Sequence, residues 1–257
     1  MKENYKEAFE KTKKAGEIAA GALDEVAKII KPGIQTDTID KLCYEYIKDY
    51  GAYSAPLFYR GFPKSCCTST NHIVCHGIPS NKILKEGDIV NVDVTALKDG
   101  WHGDTSRTFE IGEVSIKAKK LVKTTYDAMM KAIKIVKEDI HLGDIGATIQ
   151  HHVEAEGFSV VQDFCGHGIG KHFHEEPNVL HYGKKGTGEK IKAGMIFTIE
   201  PMINFGKYET KTLNDGWTAV TKDKSLSAQF EHTIGITEDS YEIFTESVKG
   251  YKRPPYN

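Results

Sequence analysis

The sequence predicts an α+β domain assembled from two related half-units, and three observations point to it. Two pairs of segments with helical periodicity stand in different halves of the 257-residue chain. Strand-like runs follow each pair: DIVNVDVTALK and SRTFEI after the first, GMIFTIEPMI and AQFEHTIGIT after the second. Displacing the chain by 106 positions lays Ala22, Lys28, Ile29, Lys31, Ile34, Ile39 and Gly51 on Ala128, Lys134, Ile135, Lys137, Ile140, Ile145 and Gly157. These matches fall on helix faces and helix ends. We expect one domain over residues 1–257, with half-units near 1–113 and 114–250 that face each other across a site.

In the first helix Ala15, Ala19, Ala22, Val26 and Ile29 recur at spacings of four and three, and Lys31-Pro32-Gly33 stops it. Asp37 is placed to cap the second, with Ile39, Cys43, Tyr46 and Tyr50 on one face and Gly51 at its end. The third carries Ala118, Val122, Thr125, Met129, Ala132 and Val136 at the same spacing. Asp144 is placed to cap the fourth, which ends near Gly157.

Composition excludes several classes. Hydrophobic residues make up 39% and charged residues 27%, the balance of an ordinary soluble domain. The formal net charge of −2 argues against a strongly basic, specific nucleic-acid binder. No apolar run approaches membrane-spanning length, and the charged N-terminal segment has no apolar signal core. The five cysteines (Cys43, Cys66, Cys67, Cys75 and Cys165) form no C-x-x-C. A disulfide framework is therefore not expected, and reduced thiols agree with a cytoplasmic protein.

The chemistry concentrates in three stretches. In GDIVNVDVTALKDGWHGDTSRTF, period-two alternation on both sides of Lys98-Asp99-Gly100 predicts a hairpin with an Asp-Gly turn. An even-membered loop brings Asp93 opposite or diagonal to Asp104 on one face. Two carboxylates about 4 Å apart repel by roughly 4 kcal/mol at an effective dielectric of about 20, so a cation is expected between them. The alternative is that one aspartate only caps a turn. In FCGHGIGKHFHEEP, glycines surround His167 and let backbone approach whatever the imidazole binds, and His174 follows. Glu200 and Glu231 each stand in an apolar, β-branched run. Buried carboxylates pair, protonate or bind metal. One histidine and four carboxylates suit two divalent ions and metal-assisted hydrolysis.

VCHGIP (74–79), NVDVT with HGDTS, CGHGIGKHFHEEP, FTIEPM and QFEHT stand in the order and approximate spacing of the type I methionine aminopeptidases, and the sequence resembles that family from the first helix to about Ile243. The resemblance implies the "pita-bread" fold of two pseudo-symmetric halves around an antiparallel sheet. It also implies excision of the initiator methionine from nascent polypeptides when the second residue is small. Asp93, Asp104, His167, Glu200 and Glu231 match the family's metal ligands, and His76 and His174 its substrate-contacting histidines. Tyr59, Phe62, Cys67, Phe173 and Trp217 match its methionine pocket, an apolar site suited to a thioether. By the same resemblance, water activated between two metals attacks the first peptide bond, Glu200 shuttles the proton, and His174 steadies the oxyanion. The metal pair is drawn from Fe, Mn, Co, Ni or Zn.

Three other readings are weighed. A prolidase or aminopeptidase P shares the ligand set but adds an N-terminal domain and holds proline. A type II enzyme carries an insertion in the second half. A non-catalytic binding module would be expected to have lost ligands. The adjacent Cys66-Cys67 and Pro56 near the pocket wall, and the bulky His172, depart from the family pattern. Lys2, Lys6, Lys11, Lys13 and Lys14 suit either a ribosome surface or a solvated helix face, and the second is favoured. The protein is expected to act as a monomer. Lys2 fits a narrow site poorly, so Met1 is expected to persist.

Overall fold

A computed structural model of the protein describes residues 5–256. Met1 and Lys2, and the expectation that Met1 persists, lie outside the described residues.

Helices α1 (Lys6–Ile29) and α2 (Thr36–Asp49) come first. The strands β1 (Tyr53–Ser54), β2 (Cys67–Thr70), β3 (Ile73–Cys75), β4 (Ile89–Lys98) and β5 (Trp101–Glu110) follow. Then come α3 (Ile116–Ile135), α4 (Leu142–Ala155), β6 (Ser159–Val160), β7 (Gly166–Gly168) and β8 (Glu175–Val179). The chain closes with β9 (Ile196–Ile199), β10 (Met202–Asn204), β11 (Thr210–Thr212), β12 (Ala219–Thr221), β13 (Ser227–Gln229), β14 (Glu231–Ile236) and β15 (Tyr241–Ile243). A nine-stranded sheet runs β1-β4-β5-β14-β9-β7-β8, with β2 added on β4 and β15 on β14. Every pairing in it is antiparallel. Two three-stranded sheets, β13-β10-β6 and β11-β12-β3, stand beside it.

The β4–β5 hairpin sets the register of the site. Lys98 pairs with Trp101, and Asp99 and Gly100 both take positive φ (51° and 81°), the two-residue turn whose twist matches a hairpin. Alternation then divides the strand. Val90, Val92 and Val94 are buried in the helix-side core, while Asp93 and Thr95 point to the opposite face and line a cavity. Helix α1 packs on this hairpin through bare backbone. A Cβ on Gly103 would stand 2.2 Å from the Gly16 nitrogen, so neither position admits a side chain without moving the helix.

One further tie crosses the core. Arg107 of β5 and Asp24 of α1 form a buried ion pair at 2.6 Å. Asp24 also accepts from Ser247 Oγ at 2.8 Å and from the Lys249 backbone N–H at 3.0 Å. A buried carboxylate needs this saturation to offset its desolvation.

Local expectations need correction in four places. Asp37 lies inside the first turn of α2 and pairs with Lys64 at 2.7 Å, whereas Gln35 occupies the cap position. On α2 Ile39, Cys43 and Ile47 are buried and Tyr46 packs against the same core, but Tyr50, just past the helix end, is exposed. Asp144 stands one turn inside α4, where its carboxylate accepts from the backbone N–H of the cap residue His141 at 2.8 Å. Glu200 does not sit within a strand but in the break between β9 and β10, because Pro201 has no N–H to continue a ladder. No helix among the described residues is long and apolar enough to cross a membrane.

Candidate metal centre

Five neighbouring strands of the large sheet deliver one potential ligand each. In spatial order these are Asp93 from β4, Asp104 from β5, Glu231 at the start of β14, Glu200 just past β9, and His167 in the middle of β7. Register explains the convergence. Ser106 of β5 pairs with Asp93 on one side and with Glu231 on the other, and Asp104 lies two residues along β5 on the same face. All five border one cavity of about 410 Å³. His76, His174, Tyr59, Phe62, Cys67, Phe173 and Trp217 border it too. Pro56 also lines it, whereas Cys66 points the other way into the core and His172 is exposed.

The donor set fits divalent metal ions. Asp104, His167 and Glu231 offer ligand atoms that all lie within 4.8 Å of one another. Nε2 of His167 stands 3.8 Å from Asp104 Oδ2 and 3.5 Å from Glu200 Oε1. Its Nδ1 lies 3.0 Å from the Gly168 carbonyl, so Nδ1 carries the proton and Nε2 is left with a free lone pair. Glu231 is 2% exposed, and its Oε1 has no hydrogen-bond partner.

Charge makes the same point. Burial pushes Asp93 up to about 7 and Glu200 up to about 8. Burial, then repulsion from the neighbouring carboxylates, lifts Asp104 and Glu231 well above the usual range. Among the described residues, only His167 comes within ion-pair distance of any of these acids. Desolvation holds His167 down to about 4, so near neutral pH it brings no positive charge. The protein thus gathers four acids and supplies no cation for them.

A second layer fixes the acids and was not visible in the sequence. Thr95 Oγ1 donates to Asp104 at 2.7 Å, and Thr198 Oγ1 donates to Glu200 at 2.7 Å. Gln229 Nε2 donates to the other Glu200 oxygen at 3.2 Å. The Glu200 backbone N–H, freed by the strand break, donates to Nε2 of the fully buried His181 at 3.1 Å. Hydroxyls that alternate toward the site face were the available signal for the threonines. His181 lies nineteen residues from its partner, and no local pattern marks it.

The apolar wall closes around the histidines. Phe62 meets Trp217 edge-on at 5.2 Å, and His76 meets Phe164 edge-on at 5.5 Å. His76 holds φ at 55° without being glycine, the kind of strained backbone that a surrounding structure must impose. Phe164 and Cys75 also border the cavity. Sequence reasoning missed both, because their chain neighbours suggest only core.

The arrangement is that of a metal-dependent hydrolase, and the chain belongs to metallopeptidase family M24, whose sequence profile matches residues 10–238. It is 55% identical to the methionine aminopeptidase of Rickettsia prowazekii (strain Madrid E) over 249 residues, 96% of each chain. It is 53% identical to the methionine aminopeptidase of Escherichia coli (strain K12) over 241 residues, 93% of this chain and 91% of that one. The crystal structure of the Rickettsia prowazekii enzyme superposes with a TM-score of 0.92, covering 93% of this chain and 97% of that one. The curled antiparallel sheet is the pita-bread fold that the sequence predicts.

Acids that folding makes weaker couple metal to stability. For Asp93 and Glu200 the folded values of about 7 and about 8 lie above the ordinary 3.8 and 4.5. The folded, metal-free chain therefore binds more protons than the unfolded chain between about pH 4 and 8. Their contribution to stability is fully present below about pH 4 and is lost as the pH rises through 7 and 8. Bound cations cancel this loss. The gain in melting temperature on adding divalent metal to stripped protein is expected to be larger at pH 8 than at pH 5. Scanning calorimetry of both forms measures it, and an equal or smaller gain at pH 8 would contradict the assignment.

Proposed function

We propose that the chain removes the initiator methionine from nascent polypeptides as a dinuclear metalloaminopeptidase of one catalytic domain, built from half-units near 1–113 and 114–250. One observation carries the reading: the five-donor cluster and an aromatic and sulfur-bearing wall share a single cavity. A thioether contacts aromatic edges favourably and its unbranched chain fits an irregular pocket, whereas a charged side chain would be desolvated there. The methionine side chain would contact Tyr59, Phe62, Cys67, Phe173 and Trp217.

Asp93, Asp104, His167, Glu200 and Glu231 would hold two divalent ions from the group Fe, Mn, Co, Ni and Zn. Bound there, the ions supply Lewis acidity that makes water a nucleophile and polarises the scissile carbonyl. Glu200 takes the proton from the attacking water and passes it to the departing amine, held in place by Thr198, Gln229 and His181. His174 donates to the carbonyl oxygen as charge develops on it, and His76 contacts the scissile amide nitrogen. Burial keeps both imidazoles below the ordinary histidine range, so they act as neutral donors. Phe164 and His76 border the same cavity, and we expect them to narrow the space for the second residue, which favours substrates with a small one.

The substrate is a free polypeptide N-terminus, with a cytoplasmic site of action. Of the lysines weighed for a ribosome surface, Lys11 pairs with Glu7 and Lys13 with Glu242 on an exposed helix face, which favours the solvated role. The chain is proposed to act as a monomer. Hydrolysis of Met-Ala-Ser is expected, at least tenfold faster than of Leu- or Pro-initiated peptides, and a chelator should abolish it. Equal turnover of Pro-initiated peptides would instead indicate a proline peptidase.

A further inference from the structure

We propose that Tyr59 is a positioning residue for hydrolysis: its phenolic O–H donates to Nδ1 of His174 and fixes the tautomer in which His174 Nε2–H faces the scissile carbonyl. The inference rests on the aminopeptidase reading above and adds to it a task for a side chain otherwise counted only as pocket wall.

The two groups lie 115 residues apart in sequence, yet Tyr59 Oη and His174 Nδ1 stand 3.0 Å apart. No other hydrogen bond is formed by the His174 ring among the described residues. Chemistry gives the direction. A phenol is the more acidic donor, and a neutral imidazole nitrogen is a better acceptor than a phenolic oxygen. The Arg60 guanidinium lies over the Tyr59 ring, 5.3 Å from its centre, and helps hold the ring in place. With Nδ1 accepting, the single imidazole proton resides on Nε2. The opposite tautomer would turn a lone pair toward an oxygen that becomes negative, and would destabilise the transition state that His174 is there to steady.

The backbone holds Tyr59 to this task. Phe58 and Arg60, on either side of it, have positive φ (66° and 47°). The turn is clamped by Phe58 N–H to the Phe62 carbonyl at 2.8 Å and by Tyr59 N–H to the Pro56 carbonyl at 2.9 Å. A wall of the methionine pocket needs only an apolar ring at this position. A strained, clamped turn that aims one hydroxyl at one imidazole nitrogen needs tyrosine. Phe173, 4.9 Å from the Tyr59 ring and stacked on His174 at 4.2 Å, completes the packing that holds the imidazole plane.

Tyr59→Phe separates the two roles, because it keeps the ring and removes the hydroxyl. In the metal-loaded enzyme it is expected to lower kcat for Met-Ala-Ser about tenfold, with KM and the preference for methionine over leucine unchanged. In a His174→Ala background the same change is expected to cost nothing further. Long-range proton–nitrogen spectra of the imidazoles, on zinc-loaded and on metal-free protein, should show the Nε2–H tautomer for the signal that His174→Ala removes, and a mixture in Tyr59→Phe. Wild-type kcat in Tyr59→Phe, a further loss in the His174→Ala background, or an Nδ1–H tautomer in the parent would each overturn the proposal. Parent protein that fails to cleave Met-Ala-Ser would overturn the activity reading instead, and the spectra alone would then decide the hydrogen bond.

Discussion

Glu231→Ala is expected to leave no measurable hydrolysis and to reduce bound metal below two ions per chain. Glu231 stands between Asp104 and Glu200 in the order of the strands, and both of these acids raise its proton affinity. Its Oε1 is buried with no partner in the protein. Removing it therefore takes away a ligand without orphaning a donor elsewhere. A buried carboxylate without a partner is a cost to the metal-free chain, so the variant should fold and melt at or above the temperature of the stripped parent. That separates loss of metal from loss of fold. Asp93→Ala should likewise lose hydrolysis and bound metal. Elemental analysis and calorimetry make the measurement together, and full metal occupancy in both variants would remove these residues from the ligand set.

Glu200→Gln is expected to lower kcat by at least roughly 10²–10⁴-fold, the range for losing a positioned general base. The amide nearly matches the carboxylate in shape, and its oxygen can still accept from Thr198 Oγ1, now 2.7 Å from Glu200 Oε1. Substrate binding should therefore suffer less than turnover. Metal content is measured alongside, since the same side chain is proposed as a ligand. Single-turnover rates at matched metal occupancy give the base's share. Near-normal turnover would place the proton on another group.

The hairpin carrying Asp93 and Asp104 could be read from the sequence because its signals are local. An Asp-Gly pair sets the turn, and period-two alternation sets the face. Those two facts leave the acids opposite or diagonal on one face, and the observed register makes them diagonal. The helices were readable for the same reason, and their caps were less so. Asp37 and Asp144 have the right chemistry for a cap, but a first-turn acid and a cap acid look alike in one dimension. Glu200 shows another limit. The run MIFTIEPMI looks continuous in hydrophobicity, yet Pro201 breaks it and sends the following strand into a different sheet. Contacts made across the fold left no mark on neighbouring residues. Neither the Tyr59–His174 hydrogen bond nor the support of His181 under Glu200 changes any spacing in the chain.

The carboxylate of Asp24 has a consequence for the newly made chain itself. It belongs to a helix made before its partners, which arrive at residues 107, 247 and 249. Until Ser247 and Lys249 emerge, this acid can find Arg107 but not the two donors that complete its shell. Synthesis adds roughly 5–20 residues per second, far slower than a loop closes, so the native arrangement waits for these late residues. A chain truncated before Ser247 would hold every residue of the metal cluster and still lack the clasp that joins its beginning to its end.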